Sequence, residues 1–422
     1  MGLRTDACPR SWQLPRLGQA VQVQVSETVE EPAESVTNRR VSRLATSLDW
    51  RLDFGVPALI RLGEMLVQLA VLSWLNPAGG PSLSSRLTEW DAVHYGIIAA
   101  HWYPSDFVIA PDGSLAQGHE LAFYPLYPTL AAFVRFFGFS TTHALLITAA
   151  GFGLVASVVV HLLARHVVGS RRAGYIACAL LGVLPMAITL QMGYTESLYF
   201  ALAAGALLAS LNERWFLAGA LAFAAGLTRP SGLLVPLVIP LAAWSLHRAH
   251  RPVPWSRVSA ATILGFAGAP TFWLYLYSRT GVLNTWFVVS KHGWGDRFDF
   301  GHQTWKFLHD MLQHPKNFDD VMAPATAAII IGFVVACGIA LSTRYPPPII
   351  VLTVLSVAMV VGSTNYWHSK PRLLLAAFPI VVITSGGLSR FRTRTVIIVV
   401  ATGLLVSAWF GAYTLDVWQY AI

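Results

Sequence analysis

Two short stretches of this sequence gather residue types that can do chemistry. Trp90-Asp91-Ala-Val-His94-Tyr95 and, further on, His119-Glu120-Leu-Ala-Phe123-Tyr124-Pro125-Leu-Tyr127-Pro128 set carboxylates, histidines and aromatics just after the first long apolar run. A carboxylate beside a membrane costs free energy unless it is solvated, paired or working. The spacing predicts a short helix over 88–101, in which Asp91, His94 and Tyr95 fall at i, i+3 and i+4 and share a face, with Thr88 available as its cap. A carboxylate held there can take a proton from a hydroxyl, the task of a general base. The bland alternative is a solvated aspartate on an interfacial amphipathic helix.

Three further segments carry charge at the ends of apolar runs. Gly193-Tyr-Thr-Glu196-Ser197 opens a span, and Glu196 in its first turn would be favoured by the helix dipole whether or not it also works. Leu227-Thr-Arg229-Pro-Ser-Gly232 breaks two apolar runs; Arg229 can snorkel toward lipid phosphate or grip a substrate phosphate with its guanidinium fork. In Asn365-Tyr-Trp-His368-Ser-Lys370-Pro371-Arg372, the proline biases Lys370 toward extended backbone. An extended segment would alternate His368, Lys370 and Arg372 onto one face, as an anion site or as headgroup anchors. No metal-ligand spacing, P-loop, dinucleotide fingerprint or nucleophile elbow is present, and the pair Asp296/Asp299 is weak grounds for a metal.

The elements that must position these residues are membrane helices. The chain is 55% hydrophobic and only 12% charged, against about 25% charged in soluble domains. Its 15 tryptophans and 13 tyrosines suit two membrane–water interfaces. The net charge of +8 is accounted for by basic loops, and no basic strip interleaved with aromatics points to nucleic acid. Cys8, Cys178 and Cys337 are too scattered for a disulfide framework.

Residues 1–50 have no long apolar run and are expected to form a disordered cytoplasmic tail, followed by one transmembrane domain over 51–422. Apolar segments of spanning length lie near 55–76, 143–164, 173–191, 195–211, 214–228, 231–247, 258–278, 323–342, 348–363, 371–388 and 395–414. The stretch 121–139 is ambiguous. Treating it as a juxtamembrane helix puts the basic clusters at 39–51, 165–172, 247–257 and 390–394 on one face, as the positive-inside rule prefers. The expectation is an all-α polytopic protein of about 11 crossings, N-terminus cytoplasmic, with outer loops 77–142 and 279–322 roofing an active site on the outer face.

With these motifs in view, the chain resembles the PIG-V-like mannosyltransferase family of the GT-C glycosyltransferase superfamily, as a bacterial relative. Trp90-Asp91-Ala, Ala122-Phe-Tyr-Pro-Leu-Tyr-Pro128, Thr195-Glu196-Ser197 and Thr228-Arg229 carry the resemblance from about residue 50 onward. It implies a multispanning GT-C-like bundle that moves a sugar, mannose by family, from a polyprenyl-phosphate carrier to an acceptor hydroxyl with inversion. It implies Asp91 as base and Glu196 as a supporting acid. The chemistry of their side chains then assigns His368, Lys370, Arg372 and Arg229 to the donor phosphate, with His94, Tyr95, His119 and Glu120 as supports.

The leaving lipid phosphate is a stable anion, so the reaction asks for positive charge rather than a second acid. No resident cofactor is expected, since the lipid-linked sugar is a substrate; a divalent metal is left open. Expected partners are the polyprenyl-phosphate sugar, a glycolipid, glycan or protein acceptor, and membrane lipids. Two other classes stay on the table: a secondary transporter, and a non-catalytic lipid-binding protein.

Overall fold

The computed structural model describes residues 48–314, 321–364, 366–418 and 420. The expected tail falls almost wholly outside these residues. Within them the protein is a multi-pass helical membrane protein. Six helices are long and apolar enough to cross a membrane: Arg51–Leu75, Thr141–Val168, Pro230–Arg248, Trp255–Thr280, Met322–Leu341 and Thr393–Asp416. A seventh is possible by length and composition if Trp367–Ala377 and Ile380–Leu388, bent by 67°, count as one span.

Length and composition alone thus support six or seven of the expected 11 crossings. Apolar runs of spanning length break into shorter helices. Arg171–Val183 has 13 residues, Glu196–Leu211 has 16, Trp215–Gly226 has 12 and Pro347–Val361 has 15. At 1.5 Å per residue these reach about 18–24 Å, short of a hydrocarbon core of about 30 Å. Within 121–139 the helix is Leu126–Phe136, only 11 residues, so it cannot cross alone. The segment 77–142 also holds a small antiparallel pair, Val108–Ile109 with Leu115–Gln117, that an all-α reading omits.

The ends of the bundle differ in charge. Arg172 Nη2 donates to Phe391 O at 2.7 Å, and Asp53 is gripped by His161, Arg165 and Arg171, so three basic segments meet at one end. At the other end of Thr141–Val168, Thr141 lies close to Gly96 of the Asp91–His101 helix, where an added Cβ would meet its methyl at 3.4 Å. The 24 residues from Thr141 to Arg165 separate the two by about 36 Å. Pro230–Arg248 runs the same way, from Arg229 at one end to the His247/Arg248 cluster at the other.

Between the ends, the first span buries a polar stripe. Arg61 Nη1 lies 3.2 Å from Glu64 Oε2, Arg61 Nη2 is 3.4 Å from Gln191 Oε1, and Gln68 donates to Gly182 O. Charges inside a membrane have to be paired, and the pairing here pins the first span to its neighbours.

Candidate active site

The segment before Asp91 is fastened to the segment before Glu196. Gly193 N donates to Leu87 O at 2.9 Å, and Tyr194 Oη donates to Glu89 O at 3.2 Å. Gly193 permits this approach: a Cβ there would meet Ala92 Cβ at 3.0 Å and Leu145 Cβ at 3.3 Å. Arg86 adds a brace, its Nη1 on Glu89 and its Nε 2.9 Å from the buried carboxylate of Asp416 at the end of the last helix.

The expected helix over 88–101 begins later, at Asp91, and runs to His101. Thr88 does not cap it; its hydroxyl donates to Ser84 O and Ser85 O. Trp90 occupies the cap position with φ +57°, a left-handed conformation that is strained for a residue with a Cβ. That turn delivers Asp91 as the first helical residue, facing a cavity.

The cavity measures about 400 Å³ and is lined by Asp91, Tyr95, Glu196, Arg229 and Arg372, with aromatic walls that include Phe123, Trp286 and Trp294. Four of these residues form an alternating chain of charge. Arg372 Nη1 is 2.7 Å from Asp91 Oδ2, Arg372 Nε is 3.8 Å from Glu196 Oε1, and Arg229 Nη1 is 3.1 Å from the same Oε1. The guanidinium of Arg372 also lies over the Tyr194 ring at 4.9 Å, and that of Arg229 over Tyr199 at 5.6 Å. Glu196 is 2% exposed and in the first turn of its helix, and its Oε2 has no hydrogen-bond partner among the described residues. A buried charge holds its place only if paired, and each of the four has an opposite neighbour.

Of the four residues expected at the donor phosphate, Arg229 and Arg372 line this cavity and His368 and Lys370 do not. The segment is not extended: Trp367–Ser369 is a 3-10 turn and Lys370–Leu373 continues it as helix. Pro371 sits in the first turn, where its missing N–H costs nothing, and this outweighs the pre-proline bias. Residues two apart on a helix diverge, and these three do. His368 stacks on Tyr366 and packs against Trp418. Lys370, 1% exposed, donates to Val360 O at 2.8 Å and Ser363 O at 2.7 Å.

The face shared by Asp91, His94 and Tyr95 also divides. Tyr95 lines the cavity, whereas His94 turns outward, its Nδ1 3.1 Å from Glu120 Oε1 and its ring stacked on Phe123 and His119. The hydrogen bond from His94 holds the Glu120 carboxyl below the usual glutamate range, although partial burial works against it. Burial lowers the His119 imidazole, helped by its neighbour His94. No group of three or more His, Cys, Asp or Glu side chains is placed to hold a metal among the described residues.

Three site residues escaped the sequence reading. Trp286, whose indole donates to Ala122 O at 3.0 Å, Trp294 and Arg297 sit within 279–322 without a motif. Their only advance signal was an aromatic pair, Trp286-Phe287, and an aromatic–charge cluster, Trp294-Gly-Asp-Arg297, in a loop already expected to roof the site.

No family model and no curated protein matches the chain. Similar solved structures include ArnT from Cupriavidus metallidurans in the apo state and ArnT from the same organism bound to undecaprenyl phosphate. Each is 14% identical over 85% of this chain and 74% of the other, with TM-scores of 0.49 and 0.47. Likeness at this level decides neither family nor substrate. The chemistry of the site rests on its own residues.

Proposed function

We propose that this protein is a membrane glycosyltransferase that moves a sugar from a polyprenyl-phosphate donor to an acceptor hydroxyl at the outer face, with inversion. The observation that carries the reading is the cavity in which the Asp91 carboxylate lies 2.7 Å from the Arg372 guanidinium, with Glu196 and Arg229 behind it. Asp91 takes the proton of the acceptor hydroxyl as that oxygen attacks the anomeric carbon. The bond to the lipid phosphate breaks and the electron pair leaves with the phosphate. Arg372, with Arg229 in support, faces the charge that develops there, which lowers the barrier if the contact tightens as the bond breaks.

Glu196 holds both arginines in position and offers its free Oε2 to a sugar hydroxyl. Aromatic walls suit a sugar's apolar faces. Mannose as the sugar follows from the motif resemblance alone, and the outer-face assignment from the basic clusters gathered at the opposite end.

The Arg61–Glu64 pair inside the first span favours a transport reading, since transporters place ionisable groups at mid-membrane. That pair is 1% and 4% exposed and is not among the residues lining the cavity, which leaves the transferase as the better account.

The test is Asp91→Asn in proteoliposomes given polyprenyl-phosphate mannose and a membrane extract as acceptor. A base contributes about 10²- to 10⁴-fold, so turnover should fall by at least a hundredfold. Turnover near the wild-type rate would remove Asp91 as the base.

A further inference from the structure

A second cavity of about 440 Å³ adjoins the first and shares Trp294, Arg297 and Tyr366 with it. Its other walls include Lys291, Trp367 and Lys370. The two outer segments that build it are stitched together. Arg297 N donates to the Thr364 hydroxyl at 3.0 Å, Thr364 N to Arg297 O at 2.9 Å, and the Thr364 hydroxyl to Gly295 O at 2.7 Å.

The charge of this cavity is one-sided. Three cations and three aromatic side chains line it, and no carboxylate is among its described lining residues. Asp296, between Gly295 and Arg297 in sequence, lines the first cavity instead. Lys370 is committed to the carbonyls of Val360 and Ser363, so Lys291 and Arg297, both exposed, supply the charge open to a ligand. The first cavity balances its three arginines with three carboxylates; the second has none among its described lining residues.

We infer that the second cavity seats the acceptor, and that the acceptor is an anionic glycan. Its phosphate or carboxylate meets Lys291 and Arg297, and its ring stacks on Trp294 or Trp367. The shared wall at Trp294 and Arg297 then lets an acceptor hydroxyl reach Asp91 while the charged group stays behind. This inference rests on the transferase reading, because only a two-substrate reaction calls for two adjoining seats. Cations alone would serve an anion; the aromatic walls are what add a sugar ring.

The experiment is saturation-transfer NMR on the purified full-length protein, with mannose 6-phosphate, glucuronate and mannose as probes. Both anionic sugars should bind and mannose should bind at least about tenfold more weakly, since charge-assisted hydrogen bonds are lost. Lys291→Ala with Arg297→Ala should abolish the preference, while Lys291→Arg with Arg297→Lys should keep it. Polyprenyl phosphate should leave the bound anionic sugar in place. Equal binding of mannose, or a preference that survives the double alanine variant, would overturn the inference. Displacement by polyprenyl phosphate would do so too, giving the cavity to the donor. A preference for one anionic sugar alone would fix phosphate or carboxylate. Loss of the Asp91→Asn effect on turnover would strike the transferase reading and leave the binding result standing, so the two failures are distinct.

Discussion

Arg372 Nη1 and Asp91 Oδ2 lie 2.7 Å apart, joining two residues far apart in the chain in the lining of one cavity. The proposed base is thus held by the cation proposed to meet the leaving group. Arg372→Ala should lower kcat by about 10²- to 10³-fold, the usual loss when a preorganised charge is removed. Arg372→Lys keeps the charge and loses the fork, and should recover part of that loss. Release of polyprenyl phosphate from a defined donor measures both.

Glu196 and Arg229 should behave as one buried unit. Removing either partner leaves the other uncompensated, at a cost of about 3–5 kcal/mol. Glu196→Gln and Arg229→Gln should each lower the thermal midpoint in detergent, and the double variant should lose less than the two singles combined. Additive losses would mean that the 3.1 Å contact contributes no coupling.

Lys370 is expected to act on stability rather than on the donor. Its ammonium satisfies two carbonyls, and leaving buried acceptors unmade costs about 1–3 kcal/mol each. Lys370→Met should therefore depress the thermal midpoint, with the KM for the polyprenyl donor unchanged in the fraction that folds. A selective rise in donor KM would return Lys370 to the phosphate site.

The His94–Glu120 pair gives a pH signature. The carboxyl is held below its ordinary value of 4.5, chiefly by the bond from His94. A depressed folded value means that the contribution is complete above 4.5 and is lost as pH falls through the folded value. Melting curves of wild type and Glu120→Gln should differ at pH 6–7 and converge well below 4.5. A gap that persists at the lowest pH would mean that the bond does not depend on the ionised carboxylate.

Gly193→Ala tests positioning. The added methyl presses on Ala92, one residue from Asp91, at 3.0 Å. The shift is a few tenths of an ångström, and kcat should fall several-fold with KM little changed, because alignment of the reacting atoms is sensitive at this scale. Equal kinetics would show that the Asp91 helix is set by its other contacts.

The residue types of the site were legible in the sequence, and their partnerships were not. Asp91, Glu196, Arg229 and Arg372 stood out because charge is scarce in an apolar chain, and each stands at the edge of an apolar run. Pairing 91 with 372 needs tertiary contacts that no local pattern encodes. The extended reading of 368–372 failed because a pre-proline bias is a local preference, and here a helix start absorbed the proline. Apolar length was readable too, but the points at which Glu196–Leu211 and Trp215–Gly226 begin and end are set by packing. The second cavity was invisible in advance, since Lys291 and Arg297 resemble ordinary loop charges.

The alternating quartet of Asp91, Arg372, Glu196 and Arg229 sums to zero formal charge. In the proposed reaction, a neutral lining has a consequence after the sugar has moved. The spent carrier is a phosphomonoester and carries more negative charge than the diester that arrived. The quartet offers no surplus of positive charge to retain it, and Asp91 repels it once the proton has left. On the proposed reaction, such a lining favours release of the spent carrier over its retention.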